Sequence, residues 1–377
     1  MSEWSHVGKP KKVLFIGPLP EPMTGQSLAC QVFLDGLRTR AIVDVIDINK
    51  KILKSGVDSV GRIGEVLSYA LAAFRKRRGR DVVYFTIAES VAGTLKDMLI
   101  YLACFSQLRR MVVHLHGGAG MRHLLSDSHP LLRRANAFFL RRMGGVIVLG
   151  SRLVPVYQDI VPSDRIFVIP NFAGDELFLS PELVASKFRS STPLRVLFLS
   201  NLIPGKGHME LVEAIAALTP EERELLAVDF AGGFEADKDR DVFLARIAAI
   251  PQIRYHGSVR GEAKRRLFAD AHLFCLPTYY PYEGQPISIL EAYASGCAVL
   301  TTDHSGIFDV FEPGKNGLDV EKGSAVAILA ALRRVLENPG ALLQYAQRNR
   351  EDAERLYTIA IYNRNLFRVI DAVGSDD

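Results

Sequence analysis

Two glutamates eight residues apart, Glu283 and Glu291, stand in the segment 277–296, PTYYPYEGQPISILEAYASG. Pro286 is a good first-turn helix residue, so a helix begins just beyond Gly284 and Glu283 lies at its mouth. Eight residues make a little over two turns, which puts Glu291 on roughly the same side. Ionised carboxylates accept hydrogen bonds from sugar hydroxyls, and the free amides of a helix start attract phosphate. Glu291 sits among Ile289, Leu290, Ala292, Tyr293 and Ala294, which marks it as an inward acid. Lys206 lies between Gly205 and Gly207 in the run 200–207, SNLIPGKG, where another helix opens. Cation, bare backbone and helix dipole together favour a diphosphate there. His116 precedes Gly117 and Gly118 in HLHGGAG, residues 114–120. Strand alternation puts His114 and His116 on one face, and an imidazole at the strand's mouth can donate to or accept from a sugar hydroxyl. Gly25, in the proline-stiffened loop 17–26, lets backbone amides approach a phosphate. The pattern G-x-G-x-x-G is absent from that loop, so no dinucleotide site is indicated.

These residues need strands and helices to hold them. Short β-branched and aromatic runs at 12–17, 43–48, 81–86, 111–115, 145–149 and 166–169 read as buried strands separated by helical or turn segments. The rhythm restarts after Ser190-Ser191-Thr192-Pro193 with strands at 194–200, 227–231, 273–276 and 299–302, and helices at 207–218 and 287–295. Alternating strands and helices imply parallel sheets covered on both faces. Two such sets predict an α/β chain of two doubly wound domains, 1–172 and 190–356, with the boundary around 171–193. A final helix, 357–373 and onward to 377, is expected to complete the first domain. In such sheets ligands bind beyond the carboxyl ends of strands, where all the residues above fall.

Composition agrees with a globular chain: 48% hydrophobic and 23% charged over 377 residues. Cys30, Cys104, Cys275 and Cys297 form no C-x-x-C pair and have no His at ligand spacing, so no zinc site is expected and a reducing compartment suits them. Residues 1–12 lack the apolar core of a secretory signal, and no apolar run approaches the roughly 18 residues of a membrane span. The expectation is a cytoplasmic protein that is not integral to a membrane. Residues 1–170 carry 24 Lys and Arg against 13 acids, whereas 171–377 carry 22 against 29. A basic first half points to an anionic partner.

The block EGQPISILE followed by AYASGCAVLTT resembles glycosyltransferase family 4. The run 201–207, IPN at 169–171 and HLHGG at 114–118 follow the same family order, so the resemblance covers almost the whole chain. It implies a GT-B fold with a cleft between two Rossmann-like domains, a nucleotide-diphosphate sugar donor of UDP or GDP type, retention at the anomeric carbon, and no metal or other cofactor. It further implies that Glu291 binds ribose hydroxyls and Glu283 a donor-sugar hydroxyl. Lys206 neutralises the leaving diphosphate, and Gly284, Gln285 and Pro286 line the phosphate and sugar region. His116 contacts donor sugar or acceptor, Gly25 lies over the phosphates, and the loop 257–260 lies near the base. His116, Glu283 and Lys206 are thus the catalytic candidates. Three departures stand out. Asn201 replaces the usual Arg, with Arg260 the candidate to compensate. Gly25 replaces a Gly-Gly pair, and Asp309 replaces a Glu.

Relatives in that family build lipid-linked glycans, which makes a lipid-linked saccharide the expected acceptor. The basic run Arg75–Lys76–Arg77–Arg78–Gly79–Arg80, with Arg133, Arg134, Arg141 and Arg142, suits an anionic membrane surface, and 131–142 mixes Leu and Phe with four arginines as an interfacial helix does. The chain is therefore expected on the inner face of the cytoplasmic membrane. Two other readings stay open: a nucleotide-sugar epimerase of similar fold, and a non-catalytic sugar-nucleotide binder. No recognisable RNA motif argues for nucleic acid.

Overall fold

A computed structural model describes residues 9–49, 59–190 and 192–374. The chain divides into two compact units, one of residues 1–169 with 362–377 and the other of residues 170–361.

The first unit holds β1 (Lys12–Gly17), α1 (Gly25–Arg38), β2 (Ile42–Asp47), α2 (Ser59–Lys76), β3 (Val82–Thr86), α3 (Val91–Ala103), β4 (Met111–His114), α4 (Ala119–Ser126), α5 (Pro130–Leu140), β5 (Gly145–Val148) and β6 (Ile166–Val168). Its strands pair in parallel in the order β2-β1-β3-β4-β5-β6. Central strands read as unbroken apolar runs because helices cover both faces, and all five residues of β3 are buried. The chain moves outward from β1 to β2, then returns past β1 to β3. With right-handed crossovers, α1 covers one face and α2, α3 and α5 the other.

The second unit holds α6 (Pro181–Lys187), β7 (Leu194–Leu199), α7 (His208–Ala216), α8 (Pro220–Glu224), β8 (Leu226–Ala231), α9 (Asp237–Ile247), β9 (Ile253–Tyr255), α10 (Gly261–Asp270), β10 (Leu273–Leu276), α11 (Ile287–Ala294), β11 (Ala298–Thr301), β12 (Gly317–Asp319), α12 (Ala325–Glu337) and α13 (Leu342–Leu356). Its parallel sheet runs β12-β11-β10-β7-β8-β9. Each unit has its own apolar core built from its own sheet and helices.

The last helix, α14 (Ile359–Val373), starts later than the expected residue 357. Tyr357 ends α13 and its carbonyl accepts from the Ala173 N–H at 2.8 Å, while the Thr358 hydroxyl accepts from the Ile361 N–H at 3.2 Å and opens the new helix. The unit division falls inside α14, after Ile361. Its later turns pack in the first unit: Phe367 lies 6.1 Å from the Phe33 ring, and Lys11 Nζ donates to the Asp371 carbonyl at 2.9 Å. Gly25 is the first residue of α1 rather than a residue before it, because Thr24 and Ser27 form a reciprocal capping box one residue earlier.

Candidate functional site

In the second unit the strand order reverses at β7 and β10: the chain leaves β7 toward β8 and β9, then returns to lay β10 on the other side of β7. Loops leaving two such strands diverge, and ligands of open α/β sheets sit in that opening. The loop after β7 carries Lys206 and the loop after β10 carries Glu283. Lys206 Nζ donates to Glu283 Oε2 at 2.5 Å, and the Thr278 hydroxyl donates to the same oxygen at 3.2 Å. The Lys206 ammonium also lies 5.0 Å from the centre of the Tyr280 ring.

The two glycines explain how the loops come this close. Gly205 and Gly207 have φ of +89° and +84°, a region open to glycine at little cost. A Cβ on Gly207 would lie 2.5 Å from the Pro277 carbonyl oxygen, and one on Gly205 3.1 Å from the Tyr280 Cα. The Tyr279 N–H donates to the Gly205 carbonyl at 2.7 Å and stitches the loops together.

Glu283 and Glu291 do not share a helix face. Pro286 is the N-cap of α11, so Glu283 lies in a turn four residues outside the first helical residue, with its N–H donating to the Tyr280 carbonyl at 3.0 Å. The eight-residue spacing therefore carries no helical phase. Glu291 is buried within α11 and pairs with another cation, Lys264 of α10, whose Nζ donates to Glu291 Oε1 at 2.6 Å. A carboxylate offers about four acceptor positions, so each acid keeps capacity for a ligand beside its lysine. No side chain caps α11, which leaves its first amides to other acceptors.

Gly284 is buried and its carbonyl accepts from the Gly306 N–H at 3.0 Å. Gln285 has a structural duty: its Oε1 accepts from the Asn171 N–H at 2.7 Å and its carbonyl from Asn171 Nδ2 at 2.8 Å. This ties IPN, at the start of the second unit, to the loop carrying Glu283. Asn201 is exposed just beyond β7, and Arg260 is the exposed N-cap of α10, after β9. The β7 and β10 loops bring Lys206 and Glu283 together, with Gly284, Gln285 and Pro286 leading on into α11, whose Glu291 pairs with Lys264 instead.

Gly25 and His116 belong to the first unit. Gly25 is exposed at the start of α1, following the loop after β1. His116 lies two residues beyond β4, its ring centre 4.0 Å from that of His114. Burial pushes the His116 imidazole down to about 3, so it is neutral at ordinary pH. His114, fully buried, is also held well below the usual histidine range by burial and by His116, and its Nδ1 is hydrogen-bonded to the Tyr84 hydroxyl at 2.7 Å. Sequence reasoning missed Glu89. Its carboxyl fills the space opposite Gly117, with its Cβ and backbone carbonyl opposite Gly120, and burial pushes it up to about 7 against the opposing hydrogen bond of the Met121 backbone. The signal was faint: one acid between the strand 81–86 and an apolar helix.

Residues 180–354 match the family described as Glycosyl transferases group 1. The amylovoran biosynthesis glycosyltransferase AmsK of Erwinia amylovora is 24% identical over 364 residues, covering 90% of this chain and 84% of that one. Further curated relatives match along less than half of their own lengths. Among solved structures, Anabaena HepE in complex with UDP and glucose superposes with a TM-score of 0.72 at 17% identity, covering 96% of this chain and 100% of that one, and the same protein is known in complex with UDP-glucose. WaaG, a glycosyltransferase involved in lipopolysaccharide biosynthesis, gives 0.67 at 15% identity, covering 97% and 100%. The fold is that of the GT-B glycosyltransferases, and the chain is a glycosyltransferase.

Proposed function

We propose that the chain moves a sugar from a nucleotide-diphosphate donor to a hydroxyl of a lipid-linked saccharide during surface polysaccharide assembly, with retention at the anomeric carbon and without a metal. The observation that carries this reading is the Lys206–Glu283 pair at the switch point of the second sheet, beside the uncapped start of α11. When the glycosyl–phosphate bond breaks, its electron pair goes to the diphosphate and positive charge grows on the sugar. A fixed ammonium and a helix N-terminus stabilise the departing anion. Glu283 is then the acceptor for a donor-sugar hydroxyl and Glu291 for ribose hydroxyls. The incoming oxygen bonds to the anomeric carbon on the face the phosphate leaves, and its proton passes to the departing phosphate. Polysaccharide assembly is supported by the relative from Erwinia and by WaaG, and the nucleotide-sugar donor by the UDP and UDP-glucose complexes of HepE. A hydrolysis screen over UDP- and GDP-sugars, with the product anomer read by NMR, tests the reading: an inverted product removes retention, and no turnover of any donor removes the activity.

The membrane part of the reading rests on three helices of the first unit. Ile63, Leu67, Leu71 and Phe74 of α2 are exposed at spacings of four, four and three, as are Val91, Leu95, Leu99 and Leu102 of α3. Such stripes normally face a core. Leu131 and Phe138 extend the apolar surface along α5, where Phe138 stacks near Phe105. Segments 59–80, 91–110 and 130–142 carry thirteen Lys and Arg against two acids. Apolar stripes rimmed by arginine fit an anionic leaflet, the inner face of the cytoplasmic membrane. Among the described residues no helix is long and apolar enough to cross a membrane. Co-sedimentation with phosphatidylcholine vesicles containing phosphatidylglycerol is expected at low salt, and Leu67→Glu with Leu95→Glu should abolish it. Absence of wild-type binding at low salt removes this part.

A further inference from the structure

The first sheet has its own switch point, between β1 and β3, because the chain leaves β1 for β2 and returns to β3 on the other side. Glu89 follows β3 there, one residue before the Ser90 cap of α3. The fold makes room for it. A Cβ on Gly117 would stand 1.9 Å from Glu89 Oε2, and one on Gly120 would stand 2.6 Å from the Glu89 Cβ and carbonyl oxygen. The glycines after His116 thus serve the carboxyl from β3. They bring the loop that follows His116 against Glu89.

Four buried polar atoms here have no hydrogen-bond partner: Glu89 Oε1, His116 Nε2, His114 Nε2 and the Tyr157 hydroxyl. Leaving buried polar groups unmet is costly, so several kept together call for a partner that completes them. His114 and Tyr157 are fully buried, whereas Glu89 and His116 are half-buried as residues with these two polar atoms turned inward. The groups that bear on the Glu89 charge are few. His116 and His114 on the β4 side are held neutral by burial, and the Tyr157 hydroxyl is pushed up by burial and by Glu89. On the α3 side, Asp97 accepts from the Ala88 N–H at 2.7 Å and pairs with Lys96 at 3.2 Å.

We propose that Glu89 binds the acceptor: its Oε1 takes the hydrogen bond of a saccharide hydroxyl, with His116 Nε2 completing the contact. This rests on the glycosyltransferase reading above and assigns the acceptor a residue outside the donor machinery. A sugar hydroxyl has one proton, so it donates to Oε1 and accepts from the imidazole in the tautomer that carries its hydrogen on Nε2. Hydrogen bonds to an ionised carboxylate are stronger than those to a neutral one. With Glu89 raised to about 7, acceptor affinity should therefore strengthen as pH rises through neutrality.

The test uses the full chain with UDP-glucose, UDP-galactose, UDP-N-acetylglucosamine and GDP-mannose as donors and n-octyl β-D-glucoside and β-D-galactoside as acceptors. Transfer and donor hydrolysis are measured separately from pH 5.5 to 9. Glu89→Ala is expected to raise the acceptor KM at least tenfold at pH 8 while leaving donor hydrolysis within twofold of wild type. Glu89→Gln keeps the shape, guards against a folding defect, and is expected to abolish the change in acceptor KM near pH 7. Wild-type acceptor KM and pH profile in both variants would overturn the assignment, as would an equal fall of hydrolysis and transfer in Glu89→Gln. A wild-type protein inert toward the whole panel would instead count against the glycosyltransferase reading, and the assignment would fall with it.

Discussion

At the residue scale, the proposed donor site holds two acid–lysine pairs. Lys206 and Glu283 are nearly buried, with side chains 11% and 10% exposed, and the Lys264–Glu291 pair is close to this. Taking one partner from a buried pair strands the other charge, whereas an exposed pair is worth little. Lys206→Ala should therefore act twice: it leaves Glu283 without its cation and removes the charge that meets the diphosphate. Loss of one preorganised electrostatic group typically costs about 100- to 1,000-fold in kcat. We expect a loss of that order in donor hydrolysis and in transfer alike, with a lower melting temperature. Lys206→Arg should restore stability better than rate, because a planar guanidinium does not reproduce a compact ammonium. Unchanged donor hydrolysis in Lys206→Ala would contradict the role given to this lysine.

At the element scale, the loops are shaped by close approach. Gly207→Ala places a methyl group 2.5 Å from the Pro277 carbonyl oxygen and asks an L-residue to hold φ of +84°. Both terms are unfavourable, together roughly 1–3 kcal/mol. The β7 loop should shift away from the β10 loop, so the variant is expected to melt earlier and to lose donor affinity although no donor-binding side chain has changed. Gly314→Ala offers a control, since its φ is +76° but nothing lies within 4 Å of the new Cβ. It should share the backbone penalty without the loss of donor affinity; equal donor binding in the two variants would remove the loop-contact explanation. The same scale shows where spacing misleads. E-x7-E in a continuous helix would align two acids, yet Pro286 starts α11 only after Glu283, so tertiary pairing with Lys206 fixes that side chain.

At the scale of the whole molecule, buried titratable groups set the response to acid. His114, His116, His208 and His272 all have imidazoles lowered, in each case chiefly by burial. The unfolded chain binds protons at these sites near pH 6.5 while the folded chain does not, so their contribution is intact above that pH and is lost as pH falls below it. One unit below 6.5, a histidine held as low as His116 costs about 1.4 kcal/mol. Glu89 works in the other direction between its ordinary range and about 7, because there the folded state holds the proton. Four histidines outweigh one glutamate, so chemical denaturation should show lower stability at pH 5.5 than at pH 7.5. Greater stability at the lower pH would show that the histidines are not buried neutral.

Strand-forming runs, their turns and the alternation with helices were legible in the sequence because burial on both faces demands continuous apolar segments. The short strands β9 (IRY) and β12 (GLD) are broken by a charge or a glycine and carry too little pattern to be read, unlike the equally short but wholly apolar IFV of β6. Lys206, Glu283 and Glu291 stood out because charged residues beside glycines or inside apolar helices are chemically unusual. Their partners did not: Lys264 is 27 residues from Glu291, and Gln285 reaches Asn171 across 114 residues. Glu89 had only a faint local signal, since its meaning comes from Gly117 and Gly120 on a neighbouring strand's loop. Local chemistry and periodicity are written along the chain and determine which segments become strands and helices. Which charge meets which, and which carboxyl is left wanting a partner, depends on distances that exist only once parallel strands bring remote loops to one edge of a sheet.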